Sequence, residues 1–301
     1  MKYTSPLRYP GGKSSLTGFL SNVIDRNSLS KCIYYEPYAG GAGAALSLLD
    51  AGVVSELYLN DADVRIYSFW HSALYSSERF VERIRTVPLN LDEWYRQREI
   101  CTYPQLHEPF DLGFAAFFMN RCNRSGVVTG AGPIGGFSQA GKWRLDVRFT
   151  RDALAERILN LSRMRDQIHV TCNDAIDFLK ENLPRGRGRS RVFAYLDPPY
   201  VKKGQRLYLN SYKRDDHAQL AKYIQSQKTL PWVMSYDDSP LIRELYSQQK
   251  IAYMPIKYTL QEKRSARELI ISPLHISLPS ACRVNGEECV LHDIQLQGNP
   301  I

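Results

Sequence analysis

The chain has 301 residues, 44% of them hydrophobic, which is enough for one large domain or for a catalytic domain with an insert. Its apolar stretches fall short of the roughly 20 residues that span a bilayer, and Lys2, Arg8 and Lys13 have no apolar run behind them, so neither a membrane span nor a secretory signal is expected. A net charge of +8 fits a polyanionic partner, and six cysteines without a C-x-x-C pair fit reduced thiols in a cytoplasmic protein.

In chain order, the first segment of interest is Leu7-Arg8-Tyr9-Pro10-Gly11-Gly12-Lys13-Ser14. Its end imitates a phosphate-binding P-loop, but that motif needs glycine where Leu7 stands and a strand ahead of it, so triphosphate binding is not expected. Lys13 is then available to meet the carboxylate of a methionine moiety. The run Cys32–Glu36 predicts a strand that passes through Pro37-Tyr38-Ala39-Gly40-Gly41-Ala42-Gly43 into an Ala- and Leu-rich helix. These glycines let a ligand approach the backbone beside a helix N-terminus, yet they do not supply the G-x-G-x-x-G of a dinucleotide site. Glu36 suits a ligand bearing an ammonium group, and Asp61, after the predicted strand Glu56–Asn60, suits a ribose diol.

The strand and helix alternation lapses between about 77 and 165. That stretch holds Trp94, Tyr95, Tyr103, Phe110, Phe114, Phe117 and Phe118 and then a Gly-rich basic loop, and it reads as a mainly helical insert with its own small core. From Met119 to Arg151 the bases Arg121, Arg124, Lys142, Arg144, Arg148 and Arg151 face the single acid Asp146. Strands are expected again at His169–Cys172, Val192–Leu196, Trp232–Tyr236 and Leu269–Ser272, with helices opening near Asp216 and Pro240, the pattern of a mostly parallel α/β sheet. The arginine-rich run Pro184–Arg191 precedes a strand, so it lies at the amino ends of the sheet, away from the ligand edge, and reads as a solvated loop. Asn285-Gly286 predicts a hairpin turn near the C-terminus. His275, Cys282, Cys289 and His292 are too irregularly spaced for an ordinary zinc site, and no metal is expected.

The sharpest feature is Asp197-Pro198-Pro199-Tyr200, directly after Val192–Leu196. Two prolines cannot donate to a sheet ladder and hold the backbone extended, so the strand stops at Asp197 and presents a carboxylate, a carbonyl and an aromatic face. That set suits methylation of a conjugated amine. Acceptors on both amine hydrogens, from Asp197 and the Pro198 carbonyl, favour a more tetrahedral nitrogen with an available lone pair. Stacking on Tyr200, worth about 1–3 kcal/mol, roughly offsets the few kcal/mol needed to extrude a base.

Together, Tyr-Pro-Gly-Gly-Lys, Glu-Pro-Tyr-Ala-Gly-Gly-Ala-Gly, Leu59-Asn60-Asp61 and Asp-Pro-Pro-Tyr, in this order, resemble the Dam-like adenine-specific DNA methyltransferases over roughly residues 7 to 272. The resemblance implies a Rossmann-like sheet that binds S-adenosyl-L-methionine, formed by 1–76 and 166–301, and a DNA-recognition insert over 77–165. It places Tyr9, Lys13, Asp61 and Asp197 against the methyl donor, with Asn173-Asp174 at the donor's adenine. Asn120-Arg121 with Ser125-Gly126 is similar to the family's base-reading hairpin. Asn120, Arg121 and Arg124 are therefore expected near base edges, and Lys142, Arg144 and Arg148 near phosphates. The expected reaction is methylation of adenine in duplex DNA by base flipping, in the cytoplasm at the nucleoid, with or without a restriction or defence partner. Alternatives are an RNA adenine methyltransferase, a silent DNA- or donor-binding regulator and, since a related Asn-Pro-Pro-Tyr serves glutamine methyltransferases, an enzyme acting on protein amides.

Overall fold

The computed structural model describes residues 5–8, 13–201, 212–257, 265–284 and 287–293. A short 3-10 turn and helix α1 (Thr17–Arg26) lead to strand β1 (Cys32–Glu36), α2 (Gly43–Asp50) and β2 (Val54–Asn60). Helices α3 (Val64–Tyr75), α4 (Ser77–Thr86), α5 (Leu91–Thr102), α6 (Pro109–Cys122) and α7 (Arg151–Arg163) follow. The chain then returns to β3 (Ile168–Thr171), α8 (Ala175–Asn182), β4 (Val192–Leu196), α9 (Arg214–Ser226), β5 (Trp232–Asp237) and α10 (Pro240–Leu245). It ends with β6 (Lys250–Lys257), β7 (Ser265–Ser272), β8 (Ala281–Val284), β9 (Glu287–Val290) and β10 (His292–Asp293).

One sheet has the order β10-β6-β7-β5-β4-β1-β2-β3. From β3 to β5 neighbouring strands are parallel, and β7, β6 and β10 add an antiparallel edge. Every residue of β4, Val-Phe-Ala-Tyr-Leu, is buried, as a strand covered on both faces requires. β1 pairs with β2 on one side and β4 on the other. The crossovers therefore leave in opposite directions and open a crevice beyond the carboxyl ends of β1 and β4, where ligands of such sheets bind.

The expected α/β class and strand positions are as found; the antiparallel β6, with its mixed Lys-Ile-Ala-Tyr-Met-Pro-Ile-Lys composition, was not anticipated. Arg185–Arg191 forms a loop with a 3-10 segment just before β4, at the amino edge. β8 and β9 pair with Val284 opposite Glu287; the turn Asn285-Gly286 itself lies outside the described residues. Among the described residues no helix is long and apolar enough to cross a membrane, and no three metal-ligating side chains gather.

The expectation of a self-contained core in 77–165 is corrected. Helix α6 is buried on nearly all sides, and its Phe117 stacks on Phe69 of α3, with centroids 5.8 Å apart and planes at 6°. Phe80 of α4 packs edge-on to both rings, at 5.8 and 5.3 Å. Apolar side chains run without a break from this cluster to Leu57 and Leu59 under the sheet. A helix hydrophobic all round has to be enclosed, and α3, which follows β2, supplies one wall.

α6 comes close to α3 at Gly113, where an added Cβ would stand 2.3 Å from the Ser68 carbonyl oxygen of α3. Gly113→Ala is expected to destabilise the whole protein by about 1–3 kcal/mol through overpacking. Thermal unfolding should show one transition lowered by several degrees. An unchanged transition would contradict the packing of α6 on α3.

Candidate active site

Asp197 follows β4 at the crevice, with 17% of its side chain exposed. Its Oδ1 accepts from Ser235 Oγ at 2.8 Å. Ser235 has one proton, given to Asp197, so the Tyr195 hydroxyl 2.8 Å away must donate to Ser235. Lys13 Nζ lies 3.3 Å from the same Oδ1. Pro198 is buried, Pro199 and Tyr200 are partly exposed, and Asp237 fixes the next turn by accepting from the Val201 amide at 2.9 Å.

Lys13, expected to meet a donor carboxylate, pairs within the chain. Its ammonium, 7% exposed, donates to the Tyr200 hydroxyl at 2.6 Å and to Glu268 Oε1 at 3.0 Å, besides pairing with Asp197. Two of its three hydrogens are thus engaged by Tyr200 and Glu268, and the Asp197 carboxylate lies beside it. Burial opposes its charge, but Asp197 and Glu268 outweigh burial and hold Lys13 above the usual lysine range. Burial pushes the Asp197 carboxyl up, Lys13 pulls it back, and Glu268 adds to the rise.

Between β1 and α2 the chain turns through Pro37, Tyr38, Ala39, Gly40 and Gly43, with Gly40 and Ala42 both left-handed at φ of 46° and 44°. For Ala42 this conformation is costly, and such strain concentrates at ligand sites. Asp61 braces the turn, accepting from the Gly40 amide on Oδ2 and from the Asp63 amide on Oδ1, each at 2.9 Å, while Trp70 Nε1 donates to the Gly40 carbonyl at 2.9 Å. Burial pushes the Asp61 carboxyl up to about 7. Glu36 is buried, one carboxyl oxygen has no hydrogen-bond partner, and burial followed by the Asp197 charge raises it well above the carboxylate range.

Asn60, buried at the end of β2, binds this turn to the segment after β3. Its amide donates to the Pro37 and Asn173 carbonyls at 3.1 and 2.9 Å and accepts from Asn173 N and Thr171 Oγ1 at 2.9 and 2.8 Å. Asp174 is exposed beside it and caps α8, accepting from the Ile176 amide at 2.8 Å. An orphaned buried carboxyl, a second carboxyl with spare lone pairs and a backbone turn open to close approach fit a ligand with an ammonium and a ribose. Tyr9 lies outside the described residues.

In the insert the structure divides the expected DNA contacts. Asn120, fully buried, accepts from the Arg8 amide at 2.7 Å and donates to the carbonyls of Arg8 and Gly126 at 2.8 and 2.7 Å. Gly126 sits at φ +75°, and an added Cβ would lie 2.1 Å from the Arg8 oxygen. Arg121, 6% exposed, donates to the Pro6 carbonyl, and burial with the neighbouring Arg157 and Arg8 lowers it to about 9. The base-reading expectation is therefore corrected for Asn120 and Arg121, which clamp residues 5–8 onto α6 instead. Arg124, Lys142, Arg144 and Arg148 are exposed. Phe137 and Trp143 of the same stretch are 55% and 60% exposed, and the Lys142 ammonium lies 5.4 Å from the Trp143 ring.

Glu268, Ser235, Asp237 and the bracing role of Asn60 were missed from sequence. Each is a buried polar residue within or at the end of a strand, and its sequence neighbours gave no sign of its partners.

Among solved structures the chain is similar to the rRNA methyltransferase aviRa from Streptomyces viridochromogenes, with 12% identity and a TM-score of 0.30 over 84% of this chain and 82% of that one. A comparison with curated proteins finds no match. The model of the D12 class N6 adenine-specific DNA methyltransferases matches residues 9–260. That span takes in the Gly-rich turn after β1, the helices of the insert and the segment after β4, and the chain belongs to the D12 class N6 adenine-specific DNA methyltransferase family.

Proposed function

We propose that Asp197 and the Pro198 carbonyl accept the two hydrogens of an adenine amine, in a Dam-like enzyme that methylates duplex DNA in the cytoplasm. The family acts on adenine N6 in DNA, and S-adenosyl-L-methionine supplies the electrophilic methyl. The observation that carries the assignment is the Lys13 and Ser235 grip on Asp197 Oδ1. Lys13 and Ser235 favour the ionised carboxylate against the burial that opposes it, and with Oδ1 held, Oδ2 is left for the amine. Pro198 and Pro199 fix the carbonyl beside it, and Tyr200 offers its ring to a flipped base. The amine proton passes toward solvent as the new bond forms.

The donor is assigned to Glu36, Pro37, Tyr38, Ala39, Gly40, Gly43, Asp61 and Asp174, with Tyr9 alongside. Burial disfavours the charge on Glu36, and the ammonium favours it. Asp61 accepts from the ribose hydroxyls. For DNA, Arg124 is assigned to a base edge, and Lys142, Arg144 and Arg148 to phosphates.

Three outcomes follow. Asp197→Ala should stay folded and bind S-adenosylhomocysteine, yet transfer methyl at least about a hundredfold more slowly, the scale for losing a group used in the transition state; turnover above a tenth of native would refute the assignment. Asp61 is ionised above about pH 7, so affinity for S-adenosylhomocysteine should fall from pH 8 to 6, by up to about tenfold per unit below that pKa. Asp61→Asn should remove the part of this slope centred near 7, and matching calorimetric profiles for the two proteins would count against the ribose contact. Finally, Arg148→Ala should weaken binding to every duplex and lower the salt dependence by about one unit, whereas Arg124→Ala should relax site choice at one position. Native salt dependence and native site choice together would remove the insert face from DNA.

A further inference from the structure

We infer that Glu268 is a positioning residue for methyl transfer: it fixes the Tyr200 ring and the Lys13 ammonium so that Asp197 presents one defined oxygen to the substrate amine. The inference rests on the assignment of Asp197 as the amine acceptor.

Glu268 lies on β7 opposite Asp237 of β5, 1% exposed, far in sequence from both side chains it holds. The Tyr200 hydroxyl donates to its Oε1 at 2.6 Å, and Lys13 Nζ donates to the same oxygen at 3.0 Å. The triangle closes because Lys13 also donates to the Tyr200 hydroxyl at 2.6 Å. A tyrosine hydroxyl with one proton given to a carboxylate and one lone pair filled by an ammonium has no rotational freedom left. The ring beyond it is held at the mouth of the crevice, 6.4 Å from the Tyr236 ring. Charge points the same way. A buried carboxylate is costly unless paired, so a second one within reach of Asp197 needs a reason. Here it ties the Lys13 ammonium between two acids, and Lys13 can then grip Asp197 only on Oδ1.

The groups facing Asp197 are Lys13 from the N-terminal segment, Tyr34 and Glu36 from β1, Tyr195 from β4, Tyr200, Ser235 and Tyr236 from β5 and Glu268 from β7. Of these, Glu268 raises the Asp197 carboxyl. Removing its charge while keeping its shape should therefore lower the Asp197 pKa. The acid limb of the rate profile, where activity is lost as Asp197 protonates, should move to lower pH even as the plateau falls.

The test is single-turnover methylation of a duplex by Glu268→Gln, Tyr200→Phe and the double variant from pH 5 to 9, with S-adenosylhomocysteine affinity measured alongside. Glu268→Gln should lower the plateau at least about tenfold, the loss expected for one charge-assisted hydrogen bond. It should hold donor affinity within about threefold and shift the acid limb downward. Tyr200→Phe should lower the plateau without moving the limb, and the double variant should lose less than the two single losses combined. A native plateau and limb in Glu268→Gln would overturn the inference, as would a lower plateau with donor affinity lost in parallel and the limb unmoved. Should Glu268→Gln fail to fold, Tyr200→Phe decides, since a rate within about twofold of native would show that the tie does not matter. Native-like turnover by Asp197→Ala would instead remove the assignment on which the inference rests.

Discussion

A lysine ammonium buried between two carboxylates ties three distant segments of this protein together. Lys13 comes from the N-terminal segment, Asp197 from the end of β4 and Glu268 from the antiparallel β7. Water barely reaches the group, so the attractions are stronger than in bulk water, about 4 kcal/mol against about 1 kcal/mol for a pair at 4 Å when the effective dielectric constant is about 20. Desolvation consumes much of that gain, so what the arrangement secures is geometry. Leaving either acid without the lysine would cost about 3–5 kcal/mol, and the three segments are thereby committed to one register.

The parallel sheet determines which groups can join this cluster. Because β1 pairs with both β2 and β4, Glu36 and Asp197 come to adjacent carboxyl ends, and Asp61 and Asp174 extend the same edge. Asn60 then ties the turns after β1 and β3 to each other through four hydrogen bonds. The helices between β2 and β3 are fixed to this edge too. α6 packs into the core shared with α3, and Asn120 and Arg121 clamp residues 5–8, just ahead of Lys13. A duplex touching the exposed arginines of the insert would therefore meet a surface rigidly joined to the first motif.

Much of this was legible in the sequence because the informative features were local. Val192–Leu196 followed by Asp-Pro-Pro-Tyr states a strand and its end in nine residues, and Cys32–Glu36 with the Gly-rich turn behind it does the same for β1. What stayed hidden depended on contacts across the chain. Lys13 looked free for a ligand because nothing near it in sequence reveals Glu268, 255 positions away. Asn120 and Arg121 looked like base readers because residue type does not report burial, and only packing of α6 under residues 5–8 shows that both side chains are enclosed. The aromatic residues of 77–165 suggested a separate core for the same reason: their partner Phe69 lies before the stretch where the repeat breaks.

The account stands most directly on where the methyl group goes. Incubation of the purified protein with S-adenosyl-L-methionine labelled on the methyl and an adenine-containing duplex, followed by digestion and nucleoside analysis, should place the label on N6 of adenine and leave matching RNA unlabelled. Label on another base, on RNA in preference to DNA or on the protein alone would contradict it.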